Sequence, residues 1–183
     1  MMIVGAGKFR NKRLKSPPPE IARPTKSLVR AAIFNVLSVH VNFPDFTFID
    51  AFGGSGIMGI EAFSRGFASA RITEKNPTAY RVLIENIRNI NHSGKIQSIR
   101  SDFFVVLDDL ISGLDKVIFF IDPPYSEEKL IWQTLDRLSL LKHPSKQFLI
   151  VIETGHELDE TSIKQWEIFQ HKKYGKTRLS FLH

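Results

Sequence analysis

The 183-residue sequence contains no cysteine. This absence excludes a disulfide framework, a thiolate nucleophile and a cysteine-based zinc site, and it is typical of intracellular enzymes. No apolar run approaches the roughly 20 residues that a membrane span requires. The first residues also lack the pattern of a cleavable signal peptide. We therefore expect a soluble, cytoplasmic protein that contacts no membrane.

The sequence also lacks internal repeats, low-complexity tracts and any histidine spacing that predicts a metal site. Hydrophobic residues make up 43% of the chain, which suits one α/β core. Lysine and arginine outnumber aspartate and glutamate by 25 to 19, a net charge of +6 that weakly favours a polyanionic partner. We predict a monomer with one domain over residues 1–183, of which 1–22 form a basic extension and 23–183 the core.

Strand-like and helix-like segments alternate along the core. The predicted strands are 47–52, 70–74, 95–100, 116–121 and 148–152. The predicted helices are 57–65, 76–89, a segment after Asp102, and 127–138. Another helix is predicted from Leu28 onward, with Thr25 as its N-cap. Such alternation indicates a parallel sheet with helices on both faces.

The final segments break this pattern. Two strand-like runs, 166–172 and 177–182, are joined at Tyr174-Gly175 with no room for a helix between them, which predicts an antiparallel hairpin. Five parallel strands followed by a hairpin give a seven-stranded, mostly parallel sheet. This α/β arrangement is associated with Rossmann-like methyltransferases rather than with dehydrogenases.

A basic segment precedes three prolines near the start of the chain. Its cations are Lys8, Arg10, Lys12, Arg13 and Lys15. Because the first three alternate with Phe9 and Asn11, the segment is compatible with a small hairpin whose cationic face binds phosphate. A solvated terminus without such a role is equally compatible with the pattern.

A glycine-rich loop follows the first predicted core strand and reads Asp50-Ala51-Phe52-Gly53-Gly54-Ser55-Gly56. Glycines at a strand-to-helix turn let the backbone approach a ligand closely and leave amides at the helix N-terminus free to bind it. With Gly59, the loop satisfies G-x-G-x-x-G, so a dinucleotide site is possible. The alternative is a tight turn without a ligand.

Acidic residues follow the next strands. Glu74 ends the second strand, where a carboxylate can accept hydrogen bonds from both ribose hydroxyls of NAD or S-adenosylmethionine. Asp102 follows the third strand and either contacts an adenine amine or only caps the next helix. The carboxyl ends of parallel strands share one edge of a sheet. We therefore expect Asp50, Glu74, Asp102 and Asp122 to surround one ligand site.

The tetrapeptide Asp122-Pro123-Pro124-Tyr125 follows the apolar strand 117–121. Two prolines remove two backbone donors and restrict φ, so the chain leaves the sheet as a rigid corner rich in acceptors. The Asp122 carboxylate and the Pro123 carbonyl could hold the two N–H groups of an exocyclic amine, with Tyr125 stacked on the base. A strand that merely ends at two prolines is the alternative. A dehydrogenase predicts no such corner, so the tetrapeptide favours amine methylation.

The D-P-P-Y sequence resembles the amino-group methyltransferases of adenine, guanine and cytosine. Further segments narrow the resemblance to the RsmD-type 16S ribosomal RNA guanine-N2 methyltransferases of bacteria. These segments are Arg23-Pro24-Thr25, Val29-Arg30, residues 33–37, residues 52–56 and residues 59–66. The resemblance covers nearly the whole chain, including the basic N-terminus and the terminal Tyr174-Gly175 segment. One departure is Gly53, where relatives commonly have alanine, and we expect a flexible turn to tolerate it.

The resemblance implies methyl transfer from S-adenosylmethionine to N2 of a guanine in 16S ribosomal RNA, within the small ribosomal subunit or its assembly intermediate. The implied cofactor-binding residues are Asp50, Phe52, Gly54, Ser55, Gly56, Glu74 and Asp102. The implied catalytic residues, which hold the guanine, are Asp122, Pro123, Pro124 and Tyr125. For the RNA phosphates we nominate Lys8, Arg10, Lys12, Arg13, Arg23 and Arg30. The target guanine should be unpaired or extruded, because N2 is poorly accessible in a stacked helix.

Two other functions remain compatible with the sequence. Methylation of adenine N6 in DNA or RNA would use the same tetrapeptide, although 183 residues leave little room for a DNA-recognition domain. A non-catalytic RNA-binding assembly factor could keep the fold. The intact Asp122 and the unbroken Gly54-Ser55-Gly56 argue against such a decayed site.

Overall fold

The computed structural model describes residues 1–21, 25–90, 92–159, 163 and 165–183, and at Tyr125 only the backbone. The helices and strands, in chain order, are β1 (Met2–Ile3), β2 (Arg13–Leu14), α1 (Ser27–His40), β3 (Thr47–Asp50), α2 (Ile57–Ser64), β4 (Ser69–Thr73), α3 (Pro77–Arg88), β5 (Ile96–Ile99), α4 (Phe103–Ile111), β6 (Lys116–Ile121), α5 (Lys129–Leu140), β7 (Gln147–Thr154), β8 (Ile168–Tyr174) and β9 (Thr177–Leu182). Short 3₁₀ turns cover Phe43–Asp45 and Tyr125–Glu127. None of the described helices is long and apolar enough to span a membrane.

The central sheet has seven strands in the order β5-β4-β3-β6-β7-β9-β8. Strands β3 to β7 are parallel, and β9 runs antiparallel to both of its neighbours, β7 and β8. The structure thus confirms the predicted α/β fold with a C-terminal hairpin. The parallel strands end at one edge of the sheet, where Asp50 pairs with Phe120 and Ile121 pairs with Ile152.

The hydrophobic core has two parts, one on each face of the sheet. Alternate residues of β6 point to opposite faces, so Phe120 packs with Phe34 and Phe48 on the α1–α2 side, whereas Phe119 packs with Leu135 on the other side. Every residue of β6 after Lys116 is buried. Burial on both faces is the reason why this strand has a continuous apolar run rather than an alternating pattern.

The N-terminal hairpin is present, but it differs from the predicted one. Strands β1 and β2 have only two residues each, and Lys8, Arg10 and Lys12 lie in the turn between them rather than on a strand face. The turn is fixed by other forces, since the Lys8 amide donates to the Ser64 carbonyl (2.8 Å) and the Phe9 amide to the Ser64 hydroxyl (2.9 Å). The alternating cations Lys8, Arg10 and Lys12 therefore belong to a turn and not to a strand.

The start of α1 also corrects a prediction. The N-cap of this helix is Lys26, with no side-chain cap hydrogen bond. Thr25 lies one residue earlier, is buried, and uses its hydroxyl elsewhere. By contrast, the predicted cap of α3 is confirmed, because Asn76 Oδ1 accepts hydrogen bonds from the amides of Thr78 (2.9 Å) and Ala79 (3.1 Å).

Candidate functional site

A cavity of about 730 Å³ lies at the carboxyl ends of the parallel strands. This volume is within the range of small-molecule sites. Most of the predicted ligand-binding residues line it, namely Asp50, Phe52, Gly54, Ser55, Glu74, Asp102, Asp122, Pro123 and Pro124. Residues 17–21 of the N-terminal segment contribute Pro17, Pro19, Glu20 and Ile21 to its wall, which the sequence did not predict. The structure therefore brings the glycine-rich loop and the proline corner into one site.

The conformation of the glycine-rich loop explains its composition. Gly54 (φ 52°) and Gly56 (φ 78°) are left-handed, and Gly56 is the N-cap of α2. A Cβ on Gly53 would lie 2.2 Å from Ile72 Cγ2, so alanine requires the Ile72 side chain or the loop to shift. Gly53 therefore lets the loop pack closely against β4. This role is more specific than the flexible turn that the sequence predicted.

Glu74 holds the loop in place. Its carboxylate accepts hydrogen bonds from the amides of Gly54 (2.7 Å) and Asn76 (2.6 Å). A carboxylate offers about four acceptor positions. Two of these acceptor positions remain, which is the number that the two hydroxyls of a ribose require. The predicted contact between Glu74 and a ribose is compatible with this geometry.

Asp50 serves as a support beneath the loop. Its carboxylate is buried near the backbone amides of Gly59 and Phe52, both of which lower its pKa. Burial raises the pKa of Asp50 to about 7, against the lowering effect of the Gly59 amide, and the charge of Glu74 raises it further. A direct contact between Asp50 and a cofactor remains a prediction.

Asp102 caps α4, since its Oδ1 accepts a hydrogen bond from the Phe104 amide (3.0 Å). The capping role is thus real, and because Asp102 also lines the cavity, it does not exclude the predicted contact with adenine. That contact remains a prediction.

The proline corner begins directly after β6. Asp122 is partly exposed towards the cavity, and the Pro124 carbonyl is engaged within the corner because it accepts a hydrogen bond from the Glu127 amide (2.7 Å). The Pro123 carbonyl remains the second predicted acceptor for the amine. The side chain of Tyr125 lies outside the described part of the chain, so its stacking on the base is untested.

Two residues of the site were missed by the sequence analysis. The hydroxyl of Thr25 lies beside the carboxyl groups of both Asp122 and Glu153, and its hydrogen-bonding capacity lowers the pKa of each. Within the described part of the chain, Glu153 Oε2 is buried without a hydrogen-bond partner. Glu153 could have been found, because it ends an apolar strand as Asp50 and Asp122 do. Thr25 carried no comparable signal.

These carboxyl groups influence one another electrostatically. Burial raises the pKa of Asp122 well above its ordinary value, with further increases from the charges of Glu153 and Asp50, whereas the Thr25 hydrogen bond lowers it. Burial likewise raises the pKa of Glu153 to about 7, opposed by Thr25 and by the charge of Lys26. One hydroxyl proton serves only one of two carboxylates. The hydroxyl can also accept a hydrogen bond, so the second carboxyl group can bond to Thr25 only when that carboxyl group is protonated.

The cavity is acidic although the protein is basic. Six of its described lining residues are Asp or Glu, and its one lining lysine, Lys75, forms an ion pair with Glu127 (2.9 Å). Such a cavity favours a cationic ligand and disfavours the anionic pyrophosphate of a dinucleotide. This electrostatic observation is independent of the tetrapeptide and also opposes the dinucleotide alternative.

The predicted phosphate-binding cations do not surround this cavity. Lys8, Arg10, Lys12 and Arg13 are exposed. Lys8 packs against Ser64 at the last residue of α2, and its amine lies 3.4 Å from the centre of the Phe63 ring. Since α2 begins at the cavity and leads away from it for eight residues, about 12 Å, this turn lies at the opposite end of that helix from the cavity. Arg23 lies outside the described residues.

Arg30 requires a correction. Its side chain is buried, with Nε bonded to Glu61 Oε2 (2.9 Å) and the other nitrogens bonded to the carbonyls of Thr25 (2.6 Å) and Ile3 (2.7 Å). A guanidinium committed to three protein acceptors has no free face for a phosphate. Arg30 therefore joins α1, α2 and β1, and the prediction that it binds RNA is wrong.

Comparisons with known proteins agree with this site. The family model described as conserved hypothetical protein 95 matches residues 1–183. Ribosomal RNA small subunit methyltransferase D of Escherichia coli K12 is 29% identical over 175 residues, covering 95% of this chain and 85% of the relative. The protein of the same name from Buchnera aphidicola subsp. Acyrthosiphon pisum is 30% identical over 150 residues, covering 82% and 76%.

A solved structure, a hypothetical protein of Thermus thermophilus, is 26% identical with a TM-score of 0.74 over 99% of this chain and 98% of that one. A structure of a candidate methyltransferase from Escherichia coli has the same TM-score at 23% identity, over 99% and 96% of the two chains, and shows the common fold. Because the family model matches the entire sequence, the chain belongs to the family of conserved hypothetical protein 95, the RsmD family.

Proposed function

We propose that the protein transfers a methyl group from S-adenosylmethionine to the exocyclic N2 amine of a guanine in 16S ribosomal RNA. The observation that carries this proposal is the position of Asp122 and Pro123 in the same cavity as the glycine-rich loop and Glu74. The names of the relatives, which are small-subunit ribosomal RNA methyltransferases, support the RNA substrate.

The residues present fit the cofactor. The two free acceptor positions of Glu74 suit the ribose, Asp102 suits the adenine amine, and the surplus of carboxylates suits a sulfonium cation. S-Adenosylmethionine supplies a methyl group activated by its positive sulfur, so that an N–C bond forms as the S–C bond breaks. The protein then has to supply binding and orientation rather than a strong base.

The proline corner after β6 orients the amine of the base. The Asp122 carboxylate and the Pro123 carbonyl accept the two N–H groups of the amine, and this directs its lone pair at the methyl group. The methylated amine then releases a proton, which Asp122 accepts. Thr25 favours the ionised form of Asp122, which burial and the charges of Glu153 and Asp50 oppose, so the pKa of Asp122 is raised and the carboxylate is a better proton acceptor than an ordinary aspartate.

The electrostatics of the cavity also indicate how the substrate enters. A neutral base can enter an acidic cavity, but the cavity repels the phosphates of the RNA backbone. The target guanine is therefore extruded from its helix or unpaired, while the backbone stays at the rim.

Two measurements on the wild-type protein test this proposal. Titration calorimetry should show binding of S-adenosylmethionine and no comparable binding of NAD. Incubation with labelled S-adenosylmethionine should transfer methyl groups to unmodified small ribosomal subunits or to 16S ribosomal RNA, but not to duplex DNA. Transfer to DNA alone would instead support the adenine-N6 alternative, and cofactor binding without transfer to any RNA would support an assembly factor.

A further inference from the structure

The C-terminal hairpin has an unusual charge distribution. Residues 168–183 contain four lysines or arginines and no aspartate or glutamate. The four cations are Lys172, Lys173, Lys176 and Arg178, and we call them the cationic tip. All four lie at or beside the connection between β8 and β9. The sequence pattern predicts only a structural role for this hairpin.

The strand register places the cationic tip at the same edge as the cavity. Arg178 pairs with Thr154 at the end of β7, next to Glu153, and Lys173 pairs with Arg178. Strand β7 runs two residues past the Ile121–Ile152 pair at the end of β6, so Thr154 and Arg178 lie at the level of the proline corner that follows Ile121. Adjacent strands are about 4.8 Å apart. Strands β9 and β8 are two and three spacings from β6, so the tip is about 10 to 14 Å from Asp122 across the sheet.

The lysines of the tip are available to a ligand. Lys172, Lys173 and Lys176 are exposed, and none of them forms an ion pair with a described residue. Arg178 differs, because it is partly buried, donates to the Gly175 carbonyl (3.3 Å) and lies 3.6 Å from a carboxylate oxygen of Glu157. It shapes the tip more than it contributes free charge.

A different role for lysines on an edge strand must be considered. Such residues often prevent edge-to-edge pairing with another sheet. Protection of the edge would distribute charge along β8, whereas its first three residues, Ile168, Phe169 and Gln170, carry none. The charge is concentrated at the end of the strand that adjoins the cavity.

We propose that the cationic tip binds phosphates of the RNA strand that flanks the target guanine. This inference rests on the proposed function. An acidic cavity that admits the base needs cations outside it to hold the backbone, and Lys8, Arg10 and Lys12 lie at the far end of α2. The tip lies at the cavity edge, on the side of the sheet that carries Asp122 and Glu153. The register thus places the cationic tip beside the carboxyl ends of the parallel strands, where it can contact nucleotides next to the reacting base.

The test compares two triple variants that remove equal charge. The first is Lys172→Gln/Lys173→Gln/Lys176→Gln. The control is Lys116→Gln/Lys142→Gln/Lys146→Gln, whose lysines lie near the opposite ends of the strands. Affinity for 16S ribosomal RNA is measured over a series of salt concentrations, together with thermal stability and S-adenosylmethionine binding.

We expect the tip variant to bind the RNA at least about tenfold more weakly at low salt. The slope of log affinity against log salt should fall by about 0.7 for each phosphate that a lysine no longer neutralises, so by about 2 in total. The control variant should keep the wild-type slope, and both variants should keep wild-type cofactor affinity and a cooperative thermal unfolding transition.

Equal slopes for the tip and control variants would overturn this inference while the proposed function stands, provided that the wild-type protein methylates the RNA. Failure of the wild-type protein to methylate any ribosomal RNA would instead overturn the proposed function. A tip variant that loses affinity for intact subunits but not for naked RNA would show that the tip contacts a ribosomal protein, which also contradicts the inference.

Discussion

Asp122 is placed among groups that oppose its ionisation. Burial and the charges of Glu153 and Asp50 raise its pKa, and the Thr25 hydrogen bond lowers it. A carboxyl group in such surroundings is a stronger base than an ordinary aspartate, which suits it to accept a proton. Its position in the cavity makes it the residue on which the chemistry depends.

We predict that Asp122→Ala abolishes methyl transfer, with a loss of about a hundredfold or more, because the amine loses its acceptor. The affinity for S-adenosylmethionine should change little, since the loop and Glu74 are untouched. Single-turnover assays and calorimetry measure the two quantities. Loss of cofactor binding together with transfer would contradict the assignment.

Substitutions of Thr25 and of Glu153 should shift the pH dependence of the methyl-transfer rate in opposite directions. Thr25→Val removes a hydrogen bond that lowers the pKa of Asp122, so the acidic limb of the rate profile should move to higher pH. Glu153→Gln removes a charge that raises this pKa, so the limb should move to lower pH. Thr25→Ser keeps the hydroxyl and should restore the wild-type profile. Changes in rate without any shift along the pH axis would indicate a structural role alone.

The sequence predicted the acidic residues that end strands, because apolar runs mark the strands and parallel strands end at one edge. Thr25 and Arg30 were assigned incorrectly for a common reason. Their hydrogen-bond partners, Asp122, Glu153 and Glu61, are distant in sequence, and no local pattern shows which polar group becomes buried against which partner. From sequence position alone, Thr25 was predicted to be an N-cap and Arg30 to be a phosphate ligand.

At the scale of secondary-structure elements, Glu61 connects the N-terminal hairpin to the core. Its carboxylate accepts hydrogen bonds from the Gly5 amide (3.2 Å), from Arg30 (2.9 Å) and from Arg65 (2.8 Å). The pair with Arg30 is almost completely buried on both sides. One residue of α2 thus holds β1, α1 and the end of its own helix.

We predict that Glu61→Gln lowers the free energy of unfolding by about 3 kcal/mol, because it leaves the Arg30 charge buried without its counterion. Denaturant titration measures the change. The control is Asp45→Asn, which breaks an exposed pair with Lys116 and should change stability by less than about 1 kcal/mol. Equal effects of the two substitutions would contradict the proposed role of Glu61.

Helices and strands were predicted well where the apolar periodicity agrees with the residues that start or end an element. The series from β3 to β9 was identified from apolar runs, with Asn76-Pro77 marking the start of α3. The N-terminal hairpin was less predictable, since its two-residue strands are held by contacts with Ser64 and Glu61 rather than by their own pattern. Short elements stabilised by distant partners leave little local signal.

At the scale of the whole molecule, charge is segregated. A protein with net charge +6 lines its cavity with carboxyl groups and carries cations at its N-terminal turn and at the cationic tip. This separation suits a reaction in which a cationic cofactor and a neutral base meet inside while a polyanionic backbone remains outside. Composition alone did not predict it, because a net charge contains no information about position.

The buried acids predict how stability depends on pH. The pKa values of Asp50 and Glu153 are about 7 in the folded protein, above the ordinary values of 3.8 and 4.5, so the folded state binds more protons than the unfolded state between these limits. Their contribution to stability is fully present below about pH 4 and is lost as pH rises to about 7. In thermal melts, Asp50→Asn should reduce this loss, and an unchanged slope would contradict the assigned burial.

The most direct test of the central claim is to identify the methylated nucleoside. Unmodified small ribosomal subunits and 16S ribosomal RNA should be incubated with the protein and S-adenosylmethionine, digested and analysed by mass spectrometry, with the Asp122→Ala variant in parallel. We predict N2-methylguanosine in the wild-type reaction and none with the variant. N6-methyladenosine as the product, or equal yields of N2-methylguanosine from both proteins, would contradict the account.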